Sequence, residues 1–384
     1  MTNSPSNIDI GEQSCAEQPS LNLEDFAYQL PPDLIAQNPI AERDQSRLLC
    51  YSRNTQEITH YNFFYDLGSI LQPGDILIVN NSRVLPVKLI GKRENGSQVE
   101  LLLIRQDLSS PDLWQAMVFP IKKIRGNEII RVDGKNTVHE ILIEKIVVAQ
   151  DGQRRLLVRL LSGRADIYNL LQDAGLTPLP PYIVNRRKAD TGQCSSSINQ
   201  SQIDLERYQT IFAKDNGSIA APTAGLHFSS ALLAFLKQKG VTLCEITLHV
   251  GPGTFKPISN SIKEHVIEAE SFSISASVAQ TLNQAKKNKQ RIIAVGTTTC
   301  RALESAIVDG KLIPQHNAQT SLFIKPGFKF RLVDGLVTNF HLSKSSLLLL
   351  VAAIIGKDEL MKTYAVAIEQ RYRFYSYGDA MIII

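Results

Sequence analysis

Apolar and polar positions along the chain fall into two textures. From residue 74 to about 161, short apolar runs alternate with turns: 76–79, 84–91, 99–104, 114–119, 128–132, 141–149 and 154–160. Asn95-Gly96, Asp133-Gly134 and Asp151-Gly152 between them are hairpin signals. Little helical period intervenes, so this spacing predicts a small all-β barrel or sandwich. Outside it, longer helical stripes alternate with single strands. In 217–255 the apolar run 218–221 predicts a buried strand, followed by a loop to His227. Phe228, Ser229 and Leu233 then form a hydrophobic staple around an N-cap, Leu232, Phe235 and Leu236 make one apolar stripe, and Gly240 ends the helix. Residues 242–250 alternate, with Cys244, Ile246, Leu248 and Val250 on one face and Glu245, Thr247 and His249 on the other. Strand, helix, strand in this order predicts a parallel βαβ unit.

The α/β texture continues with a helix over 277–288 and a strand over 291–295 that runs into Gly296-Thr297-Thr298-Thr299 and a helix carrying Arg301 and Glu304. A strand over 335–339 ends in Asn339-Phe340-His341, and a helix starts at 343–346. Upstream are a proline-started short helix near 30–36, a strand over 48–52, a helix over 167–175, an extended proline segment over 177–183 and a polar connector over 185–201. The fold class expected is α/β: a main domain with parallel βαβ units (21–73 and 162–384) into which a small all-β barrel (74–161) is inserted. Residues 1–20, rich in Ser, Asn, Glu and Gln, read as a disordered tail.

This topology directs attention to one sheet edge, because ligands of open α/β sheets bind beyond the carboxyl ends of the strands. His227 and His249 follow predicted strand ends, with Gly251-Pro252-Gly253-Thr254 beside the second, and His341 joins them if its strand is parallel. The plainer alternative is that each imidazole satisfies a loop carbonyl. The Gly/Thr-rich start of the helix at 297 offers N–H groups and hydroxyls to an anion, or is simply a well-capped core helix. Asn80-Asn81-Ser82-Arg83 is a bulge or a lip of the crevice. Arg371-Tyr372-Arg373-Phe374 can stack on bases or pack as a strand.

Composition adds limits. The 384 residues carry a net charge of +4, so the chain is no polybasic wrapper of nucleic acid, though local patches decide partners. The five cysteines form no CxxC pair, which fits a reducing cytosol and argues against a disulfide framework. The apolar run 347–355 is too short to span a bilayer, and the start of the chain lacks a signal-peptide core, so a cytoplasmic location is expected. GxGxxG, Walker A, GxSxG and HExxH signatures are absent from the sequence.

Long motifs then point to one family. They include Leu30-Pro31-Pro32, Asn81-Ser82-Arg83-Val84, Leu179-Pro180-Pro181-Tyr182-Ile183, Ala221-Pro222-Thr223-Ala224-Gly225-Leu226-His227-Phe228, Thr247-Leu248-His249-Val250-Gly251, Val295-Gly296-Thr297-Thr298, Thr338-Asn339-Phe340-His341-Leu342 and Ser376-Tyr377-Gly378-Asp379-Ala380. From Leu30 onward the chain resembles the S-adenosylmethionine:tRNA ribosyltransferase-isomerases of queuosine biosynthesis. The resemblance implies transfer and isomerisation of the ribosyl group of S-adenosylmethionine onto 7-aminomethyl-7-deazaguanine at a tRNA wobble position, giving epoxyqueuosine, adenine and methionine. It implies S-adenosylmethionine as co-substrate and tRNA as partner; no prosthetic group, no metal, no membrane and a monomer are expected.

On that reading His227, His249 and His341 are the candidates for proton transfer, since imidazole titrates nearest neutrality. Thr223, Gly225, Gly251, Gly253, Thr254 and Thr297, Thr298 and Thr299 are candidate S-adenosylmethionine contacts. Glu304 or Asp379 would face the sulfonium, and Arg83, Arg371 and Arg373 would meet tRNA. The chain departs from the family pattern at Ile267-Glu268, where Met-His is usual, and at Ser343, where proline is usual. Two rivals remain at this point: a metal-dependent hydrolase using the three histidines, and a non-catalytic RNA-binding module.

Overall fold

A computed structural model describes residues 21–384 apart from 108–109, 111, 122–123, 149–153, 162–166, 192–197, 256 and 259–260. The tail at 1–20 and the Asp151-Gly152 turn lie outside the described residues.

A nine-stranded mixed sheet organises the larger part. Its order is Gln315–Thr320, Glu270–Ile274, Thr242–Leu248, Ile76–Asn80, Ile292–Val295, Gly335–Asn339, Ala380–Ile383, Leu48–Tyr51 and Ile58–Tyr61. Thr242–Leu248, Ile76–Asn80, Ile292–Val295 and Gly335–Asn339 are mutually parallel. The strand Ile76–Asn80 explains its central position by its composition. Ile76 and Ile78 enter one apolar cluster and Leu77 and Val79 another, so both faces are covered, as parallel sheets require. The helices Ala276–Lys287, Thr297–Ser305, Ser346–Ile355 and Lys357–Glu369 and the helix Ser230–Gln238 supply that cover. Ser229 caps the last of these, its Oγ accepting from Leu232 N at 3.0 Å.

The second unit is a closed six-stranded antiparallel barrel: Arg154–Leu160, Leu113–Phe119, Gln98–Gln106, Lys88–Lys92, Glu128–Asp133 and Val138–Val148. Alternate side chains such as Val99, Leu101 and Leu103 point into its own core. The α/β fold with a β-barrel follows the sequence reading. The strand Ile76–Asn80, assigned by texture to the barrel, belongs instead to the large sheet, because four successive apolar residues suit a strand buried on both faces rather than an alternating barrel strand.

Two local expectations are corrected. The strand before His227 is Asp215–Ser218, and it pairs with Ser82–Val84 in a separate two-stranded sheet, so it forms no βαβ unit with Thr242–Leu248. The parallel neighbour of Thr242–Leu248 is Ile76–Asn80. The proline segment turns helical at Pro181, where Pro181–Thr191 begins; a proline at the first helical position sacrifices no internal hydrogen bond. In Arg371-Tyr372-Arg373-Phe374 the aromatic rings pack inward: those of Tyr372 and Phe374 are fully buried against Phe340. Among the described residues no helix is long and apolar enough to cross a membrane.

Candidate functional site

Four strands deliver their carboxyl ends to one edge of the large sheet, ending at Asn80, Leu248, Val295 and Asn339. Ala380 pairs with Asn339 in the antiparallel sense, and Leu48 pairs with Ala380, so segments 46–48 and 375–380 start at that same edge. A crevice of about 520 Å³, its open mouth included, lies there, walled by Tyr182, Thr223, Thr297, Thr298, Asn339, His341 and Tyr375. Gly296 opens the helix that carries the two threonines with φ of +90°, a conformation L side chains rarely adopt. The N–H groups of the first turn of an α-helix lack intrahelical partners, so this wall offers donors to a ligand.

His341 lines the crevice. Its Nε2 lies 2.7 Å from Thr338 Oγ1, its backbone N–H donates to the Tyr364 hydroxyl at 2.9 Å, and its carbonyl accepts from the Tyr28 hydroxyl. Burial pulls its pKa down to about 3, so the ring is neutral at pH 7.

His227 ends the short helical turn Thr223–His227 and sits one side chain behind the wall. The Asn339 amide lies between it and the crevice. Asn339 Nδ2 is 3.2 Å from the Tyr375 carbonyl, which can only accept, so this atom is the donor nitrogen. It therefore also donates to His227 Nε2 at 3.0 Å, and His227 must carry its proton on Nδ1, which donates to Ser46 Oγ at 2.7 Å. Asn339 Oδ1 is left buried without a partner. Burial first, then the charges of Arg373 and Arg43, bring the His227 pKa down to about 3.

His249 follows its strand but is not part of the crevice wall; its neighbour Val250 is. Its ring stands against Gly217, where a Cβ would come 2.7 Å from Nδ1, and the left-handed φ of +148° there also favours glycine. Nδ1 of His249 is buried without a partner, and burial lowers its pKa against the opposing pull of Asp215.

The remaining candidates divide. Thr223, Thr297 and Thr298 reach the crevice. Thr299 is turned inward, its hydroxyl donating to the Val295 carbonyl. Gly225 packs against Thr210 and Phe212. Gly251 already donates its N–H to Glu270 Oε1 at 2.9 Å, and Gly253 lies beside Glu268. The side chain of Thr254 lies outside the described residues. Glu270 also holds Arg301 Nη1 at 2.7 Å in a buried pair, which ties the loop after His249 to the helix starting at Thr297.

Neither carboxylate expected near the sulfonium lines the crevice. Glu304 is fully buried and accepts the backbone N–H groups of Arg331, Leu332 and Val333, a use that fixes a loop. Asp379 accepts from Arg47 N, Arg373 N and the Arg373 guanidinium. Arg373 is thereby committed to an internal pair, and Arg371 pairs with Asp33 at the surface. Arg83 reaches back to the Ala213 carbonyl at 2.9 Å.

Ser46, Thr338 and Asn339 were not assigned roles from sequence. Asn339 was visible at the end of a predicted strand beside His341. Ser46 was not, because it reaches His227 across 181 residues of chain. His227 and His341 keep separate ring partners, and among the described residues no three His, Cys, Asp or Glu side chains gather as a metal-ligand set.

Comparison with known proteins gives the family. The family model described as queuosine biosynthesis protein matches residues 23–383. The S-adenosylmethionine:tRNA ribosyltransferase-isomerase of Carboxydothermus hydrogenoformans is 44% identical over 366 residues, covering 95% of this chain and 100% of the relative. That of Desulfitobacterium hafniense is 42% identical over 368 residues, with the same two coverages. A crystal structure of S-adenosylmethionine tRNA ribosyltransferase from Thermotoga maritima aligns with 94% of this chain and 100% of its own at 32% identity, with a TM-score of 0.49. The chain therefore belongs to the queuosine biosynthesis family, as an enzyme among the S-adenosylmethionine:tRNA ribosyltransferase-isomerases.

Proposed function

We propose that this enzyme transfers and isomerises the ribosyl group of S-adenosylmethionine onto 7-aminomethyl-7-deazaguanine at the wobble position of a tRNA, yielding epoxyqueuosine, adenine and methionine. The observation that carries this reading is the crevice at the carboxyl edge of the parallel strands, where hydroxyls, a helix start and a neutral imidazole meet.

The chemistry asks for such a set. A sulfonium acidifies the protons on the adjacent 5′ carbon. A neutral base takes one, and the ribose ring opens as adenine leaves with a proton. The aminomethyl nitrogen of the tRNA base adds, with loss of a proton, to the carbon that gave up the ring oxygen. The carbon beside sulfur then closes on the aldehyde carbon left by adenine to make the cyclopentane ring, and the resulting alkoxide displaces methionine to close the epoxide. Burial supplies the neutral imidazoles, since it disfavours the charged form. His341 is the proton acceptor nearest the substrate in this scheme. His227 acts through Asn339, whose amide is fixed by the Tyr375 carbonyl and whose Oδ1 is free to accept from a ligand N–H or hydroxyl. His249, whose neighbour Val250 lines the crevice, remains a candidate. Thr223, Thr297 and Thr298 are the proposed S-adenosylmethionine contacts.

The test is release of adenine and methionine by the purified enzyme, given S-adenosylmethionine and tRNA bearing the aminomethyl base, with tRNA lacking that base as control. Stoichiometric release with the first tRNA alone supports the reading. No release with either, from folded enzyme that binds S-adenosylmethionine, contradicts it.

A further inference from the structure

A smaller cavity of about 270 Å³ adjoins the crevice, and Ser376 lines both. Arg43, Ser46, Arg207, His227 and Tyr377 also wall it. Among the described residues, its two guanidiniums are held by backbone carbonyls alone. Arg43 donates to Leu226 O at 3.2 Å and Glu206 O at 3.3 Å, and Arg207 donates to Ala41 O and Ile40 O, each at 2.8 Å. Among the described residues neither meets a carboxylate, whereas Arg187, Arg301 and Arg373 each pair with one. Arg207 Nε is buried and has no partner at all. The Arg43 pKa is pulled down to about 10, by burial first and then by the charge of Arg207. Two cations kept together, each with donors in excess of its acceptors, form an arrangement that a bound anion completes. Arginine's planar fork suits a phosphate or carboxylate in two-point contact.

We propose that Arg43 and Arg207 form an oxyanion subsite beside the reaction crevice, which takes a phosphate or carboxylate group of a substrate. The identity of the ligand rests on the reaction proposed above. There, the oxyanions on offer are a backbone phosphate of the tRNA and the carboxylate of the methionyl group of S-adenosylmethionine. An oxyanion in this cavity also offsets the cationic pull that Arg43 exerts on His227.

The experiment uses the full chain, with Arg43→Gln, Arg207→Gln and Arg43→Lys. Inorganic sulfate is the first probe: it raises the melting temperature of the unmutated enzyme saturably, and both glutamine variants lose that response. Turnover then separates the sources. A phosphate ligand gives about a tenfold or larger rise in KM for tRNA. In that case the slope of log affinity against log salt falls by about one, and KM for S-adenosylmethionine is unchanged. A carboxylate ligand gives the converse pair of KM values, with decarboxylated S-adenosylmethionine no longer distinguishing the variants from the unmutated enzyme. Should the glutamine variants fail to fold, Arg43→Lys keeps charge but loses the fork, and the same weakened sulfate response and raised KM are expected of it. The subsite is overturned if sulfate gives no saturable stabilisation, or if the folded variants keep both KM values within about twofold, a change worth only about 0.4 kcal/mol. Failure of the proposed reaction looks different, because the unmutated enzyme then releases no adenine.

Discussion

His139 in the barrel and His227 and His341 at the sheet edge are all buried imidazoles, yet they are used differently. His139 Nε2 meets Asp173 Oδ2 at 2.9 Å, and the same carboxylate accepts from Asn136 N at 2.9 Å, Asn136 Nδ2 at 2.7 Å and Thr137 N at 3.3 Å. His139 first, then these donors, hold the Asp173 pKa below the ordinary carboxylate range. That cluster closes on itself. Among the described residues His227 and His341 meet no carboxylate. They face Thr338, Ser46 and Asn339, and Asn339 keeps an acceptor unpaired. Burial keeps both edge rings neutral, and their hydrogen-bond partners are hydroxyls and an amide. All three rings are buried, so the contrast between them lies in their partners.

The strongest way to break this contrast is Asn339→Leu, which removes the donor to His227 and the unpaired acceptor in one step. Adenine release is expected to fall by about 10²-fold or more through misplacement of the imidazole. Asn136→Leu in the barrel leaves the rate unchanged. Melting curves of both variants exclude unfolding as the cause.

Acid sharpens it next. The folded pKa of about 3 at His227 and at His341 lies below the unfolded value of about 6.5. Between these values the unfolded chain binds more protons, so stability is lost as pH falls below about 6.5. Each ring is expected to cost on the order of 2 kcal/mol by pH 5. Urea midpoints at pH 7 and pH 5 measure this, and His341→Gln should lose less between them than the unmutated enzyme.

A smaller effect is expected from Asp173→Asn, which weakens the closed barrel cluster: a melting temperature lower by a few degrees with unchanged turnover. The smallest is Thr298→Val. It removes one crevice hydroxyl, worth about 1 kcal/mol, and should weaken S-adenosylmethionine binding about fivefold without changing kcat.

Much of this edge was legible in the chain because its residues stand where strands stop. The alternation of 242–250 and the run 335–339 put His249 and His341 at strand ends, and the parallel pairing of Ile292–Val295 with Gly335–Asn339 aligns Thr297 with them. The approach of His227 was misread. Residues 218–221 look like a strand because Ile219, Ala220 and Ala221 are apolar and buried, but beyond Ser218 they run as irregular backbone, with Ile219 N donating to the Val250 carbonyl. Burial and strand pairing leave the same apolar signature in a run that short. Glu304 and Asp379 were candidates by charge alone, and only coordinates reveal that backbone N–H groups and Arg373 claim them. The chance meeting of Ser46 with His227, and of Arg43 with Arg207, depends on chain reversals that no local pattern encodes.

The measurement closest to the central claim is single-turnover adenine release by His227→Gln and His341→Gln beside His139→Gln, each shown to be folded. The account predicts a loss of about 10²-fold or more in both edge variants and an unmutated rate in the barrel variant. Full rates in both edge variants, or an equal loss in all three, would contradict it.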